Sequence, residues 1–353
     1  MSLCLVTGGA GFIGAAISAG LCDEFDHVVA VDSLHEQVHA IRERPSMLDA
    51  RVELLVRDIL DDAWWDKCFS ELAPSVVVHL AAETGTGQSL AESKRHASVN
   101  VVGLTSMLDA MARLKRFPQR IVLASSRAVY GEGAWLAEDG KVVYPRQRSP
   151  ETLTAKQWDF PGLSALPMSS LTTIPHPVSI YGATKLAQEH ILDAWAQSFA
   201  VESVVLRLQN VYGPGQSLVN PYTGIVALFA QLARAGHPIP IYEDGRVVRD
   251  FVFIDDVVKA ILGAARVGSP SRLPYDIGSG ANTQIIEVAK MIAAFYSAPS
   301  PVVTGQFRNG DIRHASCDIS LATSDLEWTP TWSLQDGIGA FLQWTDRELV
   351  QGK

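Results

Sequence analysis

The stretch LCLVTGGAGFIG, residues 3 to 14, restricts the possible folds more than any other part of the chain. A short apolar run enters a turn with glycines at Gly8, Gly11 and Gly14, and a helical pattern follows directly. Glycines at that spacing permit a tight turn, close approach of a pyrophosphate and close packing of the helix on the sheet. The first turn of such a helix offers free N–H groups to phosphate. A second strand, HVVAVD, ends in Asp32, and no Arg or Lys follows before Arg42. A carboxylate there can hold both ribose hydroxyls of NAD and repels the extra phosphate of NADP. The plainer reading of Asp32 is a helix N-cap, but the strand-turn-helix context favours NAD.

The same alternation continues through the first two hundred residues. Apolar runs such as VELLVRD, SVVVHLAA, RIVLASS and VESVVLRL are separated by helical patterns, including long ones from about Ser93 to Leu114 and from Tyr181 onward. Strands that are apolar along their whole length suit a sheet covered on both faces. The expected fold is α/β, a Rossmann-type doubly wound parallel sheet with a smaller mixed α/β C-terminal substrate lobe. Residues 1–207 form the expected NAD-binding domain and residues 208–353 the substrate lobe, with 250–265 returning to the first domain. Between Gly131 and Ser179 the periodicity fails. The insertion at 131–178 is rich in proline and carries Trp135, Trp158 and Phe160, which favours a packed excursion over a flexible loop.

Composition excludes several classes. Of 353 residues, 47% are apolar and 19% charged, which fits a globular enzyme and not a disordered chain. A net charge of −9 argues against a nucleic-acid partner. The apolar N-terminus lacks the basic flank of a signal peptide, and no stretch is long and apolar enough to span a membrane. Cys4, Cys22, Cys68 and Cys317 are scattered without a paired motif, which reads as reduced thiols in a cytoplasmic protein with no bound metal.

SIYGATK, residues 179 to 185, places a phenol, Tyr181, one helical turn before an ammonium, Lys185. Such pairs are common on helices and alone mean little. Together with the glycine turn, the sequence resembles the extended short-chain dehydrogenase/reductase family, and within it the NAD-dependent epimerases and dehydratases of nucleotide sugars. The matching motifs, in order, are VTGGAGFIG, HLAAETG, the Asn of ASVNVVG, SSRAVYG, YGATK, RLQNVYGPG, RDFVFIDDV and RNGDIRH.

The resemblance implies a set of roles. Gly8, Gly11, Phe12, Ile13, Gly14 and Asp32 would cradle NAD, with Asp58 and Ile59 at the adenine. Ala81, Ala82 and Thr84 would line the cofactor channel, Thr84 also facing substrate, and Asn100 would support the nicotinamide half. Ser126, Tyr181 and Lys185 would be catalytic. Tyr181 is the proton acceptor, Lys185 favours its phenolate and binds the nicotinamide ribose, and Ser126 holds the substrate oxygen. Ser125 is the weaker candidate for that last role. Arg127 and Asn210 would contact substrate, and Arg249 and Arg308 would grip the pyrophosphate with their forked guanidinium groups. A homodimer built on the helices near 93–114 and 180–198 is implied as well.

Reaction type is read from what is missing. The family's 4,6-dehydratases carry an Asp-Glu pair immediately after the catalytic Ser or Thr, and here those positions hold Arg127 and Ala128. Epimerisation needs only the triad, a retained NAD and room for a ketone to turn over. The long insertion after YGEGA, its QWDFP segment and its proline-rich return resemble the dTDP-L-rhamnose 4-epimerase group. The expected activity is therefore 4-epimerisation of a nucleotide-activated sugar such as a dTDP-6-deoxy-L-hexose. UDP-hexose or UDP-hexuronate 4-epimerisation, a 4-keto-sugar reductase or a 4,6-dehydratase, and a non-catalytic NAD-binding regulator stand as alternatives.

Overall fold

The computed structural model describes residues 2–39, 41–218 and 224–351. Seven parallel strands form the central sheet: β1 (Leu3–Thr7), β2 (His27–Asp32), β3 (Glu53–Val56), β4 (Val76–His79), β5 (Arg120–Ser126), β6 (Glu202–Leu208) and β7 (Tyr275–Ile277). Their order across the sheet is β7-β6-β5-β4-β1-β2-β3. The order reverses beside β1, and in open α/β sheets the crevice at that switch, at the carboxyl ends of the strands, receives the ligand.

Strand side chains alternate between the two faces. In β1, Cys4 and Val6 pack with Ile17 and Leu21 of helix α1 (Phe12–Glu24), and with Val257 and Ile261 of the later helix Ile254–Arg266. Leu5 points the other way. It joins Trp65 and Phe69 of α2 (Asp62–Glu71), Leu104 and Met107 of α3 (Gly103–Leu114) and Leu192 of α4 (Ile180–Phe199). Both faces are dry, which is why the strands read as continuous apolar runs.

The pattern from Ser93 to Leu114 is one helical path with a π-helical segment at Ser98–Val102 before α3. Such a segment shifts the register of the side chains around it and often marks a functional position. It contains Asn100.

A second core fills the C-terminal lobe, where Phe229, Phe251, Val288, Ile292 and Phe341 are buried together. The chain does not leave the first domain cleanly. Helix Ile254–Arg266 lies against the sheet, and β7 adds its outermost strand at the β6 side. The insertion is a packed excursion with its own antiparallel sheet, in which Trp135–Ala137 pairs with both Val142–Val143 and Leu163–Ala165.

Buried charges fasten the insertion to the lobe. Arg148 donates to both carboxylate oxygens of Glu243 at 2.8 and 2.9 Å, and Glu132 accepts from the Arg313 backbone N–H at 2.9 Å. Among the described residues no helix is long and apolar enough to cross a membrane.

Candidate active site

The glycine turn has no space for side chains at Gly8 and Gly14. Gly8 has φ +66°, and a Cβ there would lie 2.7 Å from the Ala81 nitrogen. A Cβ on Gly14 would lie 2.6 Å from the Gly8 carbonyl oxygen, so the helix can approach the turn only without a side chain. Gly11 precedes α1 without a side-chain cap, and the first turn carries no acidic residue. Its N–H groups and positive dipole end are therefore free for phosphate. At the end of β2 the Asp32 carboxylate is tied to the turn. Oδ2 accepts from the Ala10 N–H at 3.0 Å and Oδ1 from the Leu34 N–H at 2.9 Å. Two backbone bonds leave lone pairs on both oxygens for ribose hydroxyls. These residues fit NAD.

The other expected cofactor residues are placed as follows. Ala81 and Ala82 are half-buried just past β4, and Thr84 is exposed beyond them. Asn100 holds that loop: its Oδ1 accepts from the Glu83 N–H at 2.7 Å, and its Nδ2 donates to the Glu83 carbonyl at 3.1 Å and to Thr184 Oγ1 at 2.9 Å. Asp58 is exposed beyond β3. The Ile59 side chain is buried against Gly103, and its carbonyl accepts from the Trp65 indole at 2.8 Å.

Ser126, Tyr181 and Lys185 come together where β5 meets the start of α4. Ser179 caps that helix, its Oγ accepting from the Gly182 N–H at 3.0 Å. Gly182, the glycine of YGATK, is what allows the meeting. A Cβ there would sit 2.4 Å from the Ala128 carbonyl oxygen. With glycine, α4 packs directly on the turn that follows Ser126, which brings the Tyr181 phenol to the side of Ser126. The Tyr181 backbone N–H donates to Ser89 Oγ at 3.2 Å.

The electrostatics depart from expectation. Burial pushes the Tyr181 phenol above its usual range, opposed by the Ser126 hydrogen bond and by the positive charge of Arg127. The sequence points to Lys185 as the cation favouring the phenolate, and the structure adds Arg127, from the turn after β5, as a second positive charge on this phenol. Burial lowers the Lys185 ammonium to about 7, with Glu189, one turn along the same helix, opposing the shift. Arg127 is lowered to about 9, first by burial and then by the neighbouring Arg249.

Arg127 Nε donates to Asn210 Oδ1 at 2.9 Å. Arg127 and Arg249 line one small cleft with Thr86, Ser179 and Asp311. Arg249 donates to the Val248 carbonyl at 2.8 Å. Among the described residues neither arginine forms a carboxylate ion pair, whereas the neighbouring Arg148 and Arg313 both do. Arg249 is buried and Arg127 half-buried, and two guanidinium groups with spare donors make a site for an anionic or hydroxyl-rich ligand. Arg308 lies apart, exposed, with its guanidinium carbon 5.1 Å from the centre of the Tyr242 ring.

The supports behind the triad escape a motif search. Glu189 is buried and accepts from Arg207 Nε at 3.1 Å and Nη2 at 2.7 Å, and from the Ser125 hydroxyl. Arg207 lies over the Tyr130 ring, 4.6 Å from its centre, and the Tyr130 hydroxyl donates to Asp276 at 2.9 Å. Ser125 thus faces away from Ser126 and ties β5 to the helix of Tyr181 and Lys185. On the other side Thr7 Oγ1 lies 2.8 Å from His79 Nδ1, and Gln188 Nε2 lies 3.3 Å from His79 Nε2. Burial keeps that imidazole neutral by lowering it to about 3. The signal for these groups was present in the sequence as charged or polar letters inside apolar runs, the Arg of VVLRL and the His of VVVHL.

Comparison with known proteins identifies the family. Residues 160–278 match the NAD dependent epimerase/dehydratase family, and residues 5–148 match GDP-mannose 4,6 dehydratase. The chain belongs to the NAD-dependent epimerase/dehydratase family of extended short-chain dehydrogenases/reductases, and its cofactor is NAD. It is 54% identical over 98% of its length to a dTDP-L-rhamnose 4-epimerase from Burkholderia thailandensis, covering 95% of that protein. Its fold matches the UDP-glucose 4-epimerase of Thermotoga maritima, solved with UDP-glucose, at a TM-score of 0.80 and 29% identity, covering 98% and 99% of the two chains. The Thermus thermophilus UDP-glucose 4-epimerase, solved with NAD, matches at a TM-score of 0.76 and 26% identity, with 98% and 99% covered.

Proposed function

We propose that this enzyme inverts C4 of a dTDP-6-deoxy-L-hexose, interconverting dTDP-L-rhamnose and its C4 epimer, dTDP-6-deoxy-L-talose. The observation that carries the reading is a Ser-Tyr-Lys triad beside Arg127 and Arg249, neither in a carboxylate ion pair among the described residues, in a chain 54% identical to a dTDP-L-rhamnose 4-epimerase. Bound NAD would supply the hydride acceptor, and then the donor, for C4 of the sugar.

The chain's own residues do the rest. Tyr181 removes the proton from the C4 hydroxyl and later returns it, and Ser126 holds the same oxygen. Lys185 holds the nicotinamide ribose. Asp32 selects NAD over NADP, and Gly8, Gly11 and Gly14 admit the pyrophosphate of the cofactor. Arg249 and Arg308 hold the diphosphate of the sugar nucleotide, and Asn210 and Arg127 line the sugar. Thr84 lies between cofactor channel and substrate, and Asp58 and Ile59 border the adenine. With Arg127 and Ala128 in place of an acid–base pair, no group stands ready to remove water from the sugar.

Residues 1–207 together with 250–265 make the cofactor domain in this reading, and the rest of 208–353 the sugar-nucleotide lobe. The enzyme works in the cytoplasm as a homodimer. Val102, Leu114 and Phe117 are exposed along the path from Ser93 to Leu114 and its continuation, Phe117 stacks on the exposed Phe199 at the end of α4, and these apolar side chains support a helix-to-helix dimer.

A panel of dTDP- and UDP-activated hexoses and hexuronates, followed by NMR for inversion at C4, tests the assignment. Turnover of the dTDP-6-deoxy sugar well above all UDP sugars is the expected result. Preference for a UDP-hexose or UDP-hexuronate would overturn the substrate assignment while keeping the reaction.

A further inference from the structure

Inversion at C4 through a ketone has no net redox change, so the reduced cofactor made in the first half must stay bound until its hydride returns. The crevice for the dinucleotide lies at the carboxyl end of β1, with β4 on one side of that strand and β2 on the other. The segments that follow β2 and β4 therefore flank the glycine turn from opposite sides. After β2 the chain folds back, and the Val38 and His39 N–H groups donate to the His35 carbonyl at 2.9 and 3.0 Å. After β4 it runs through Ala81–Thr84 into the short helices Thr86–Ala91 and Ser93–Ala97.

Side chains join these two segments. Gln37 Nε2 donates to Gln88 Oε1 and Gln88 Nε2 donates to Gln37 Oε1, both at 3.0 Å. Gln37 Oε1 accepts a further bond from Arg95 Nη2 at 2.8 Å. The same Arg95 nitrogen donates to Glu83 Oε2 at 3.0 Å, and Arg95 Nη1 lies 2.9 Å from Glu92 Oε2. Gln88 is buried, and Gln37, Glu83 and Arg95 are half-buried. Polar groups taken out of water hold their partners firmly, because a bond lost there is not replaced. Among the described residues no backbone hydrogen bond joins the two segments, so the side chains are the fastening.

We propose that Gln37, Gln88 and Arg95 form a latch across the dinucleotide crevice that retains NAD between the two hydride transfers. The inference rests on the epimerase reading given above and names the residues that make the retained cofactor possible. Gly85, with φ +103°, opens the helix that carries Gln88, and its backbone turns more freely than that of any other residue type. The Gln88 side of the latch can therefore swing away when the side-chain bonds break. The closed latch also bears on the catalytic helix. Ser89, next to Gln88, accepts from the Tyr181 N–H at 3.2 Å, and Asn100 holds the Glu83 backbone through both its N–H and its carbonyl.

The test is the exchange of radiolabelled NAD out of the holoenzyme during a chase with excess unlabelled NAD, with no sugar present. Its outcome does not depend on which sugar nucleotide is turned over. Gln37→Ala and Gln88→Ala should each speed exchange about tenfold or more, the scale of one hydrogen bond to a charged group. Both variants break the same bridge, so the double variant should be little faster than either alone. Gln37→Glu should bring slow exchange back, because a carboxylate still accepts from Arg95 and Gln88.

A wild type that exchanges no more slowly than the alanine variants would overturn the latch. So would fully additive effects of the two substitutions, which would mean that Gln37 and Gln88 act separately. If Gln88→Ala fails to fold, Gln37→Ala and Gln37→Glu decide alone, since Gln37 lies in a half-buried turn outside both cores.

Discussion

The proposed cofactor half and the proposed sugar half of the site are built in different ways. The cofactor half comes from one strand, one turn, one helix and the next strand, so Gly8 and Asp32 lie 24 residues apart. Asp32 even hydrogen-bonds back to the turn through the Ala10 N–H. The sugar half gathers Arg127, Asn210, Arg249 and Asp311 from four separate segments, with the insertion locked beside them through Arg148 and Glu243. A local unit is specified by neighbouring residues and survives changes elsewhere. A long-range assembly depends on every element that brings its members together, and Glu189 is the residue in which that dependence concentrates.

The largest effect is expected at the seam between the halves. Tyr181→Phe keeps the ring and its packing, so NAD content and thermal stability should barely change. Turnover should fall by about a hundredfold to ten-thousandfold, the range for a lost general base. Inversion at C4 measured by NMR alongside bound NAD checks both, and near-normal turnover would remove Tyr181 from the mechanism.

Next in size is Glu189→Gln. It leaves Arg207 and Lys185 without their shared carboxylate in a buried setting. Breaking such a pair from one side costs about 3 kcal/mol or more, read by chemical denaturation. If the two halves were independent, the loss would appear in stability alone. Because Glu189 sits behind both Ser125 and Lys185, turnover should fall as well in the molecules that remain folded.

Asp32→Ala should act on the cofactor half only. NAD affinity is expected to drop by roughly 1–3 kcal/mol, the scale for losing a charged hydrogen-bond partner, with the preference over NADP reduced. Calorimetric titration of both dinucleotides measures it, and equal affinities already in the wild type would refute the role of Asp32.

The smallest effect on the fold is expected from Arg308→Ala, since the side chain is exposed and rests on one face of Tyr242. Stability should change by less than about 0.5 kcal/mol, as for most surface substitutions. KM for the sugar nucleotide should rise several-fold with NAD affinity untouched. A change in NAD binding would show that the halves are coupled through this residue.

Much of this could be read from letters alone because the relevant physics is local or periodic. The glycine turn declares itself through backbone geometry that other residues cannot adopt. The buried strands declare themselves through unbroken apolar runs. Other parts were not legible. The pattern near Ser93 reads as a plain α-helix, since nothing in composition marks the π-helical register at Ser98–Val102 that carries Asn100. The insertion has no period because its order comes from a small three-stranded sheet and from ion pairs to distant residues. The expectation that Lys185 supplies the charge beside Tyr181 followed from helical spacing. The structure adds a second cation from the turn after β5, which no spacing within YGATK could disclose.

The sequence by itself determined the doubly wound class, the glycine turn proposed for the dinucleotide and the one-turn spacing of the Tyr-Lys pair. Each depends on residues close in the chain, where φ/ψ limits and side-chain periodicity act without help from the rest of the molecule. Only the tertiary structure decided the electrical setting of that pair. Burial sets the direction of the Tyr181 and Lys185 shifts, and Arg127 and Glu189 oppose them from positions fixed by packing. Desolvation and Coulomb interactions depend on distance through space and on what displaces water, and neither quantity is written in the order of the residues.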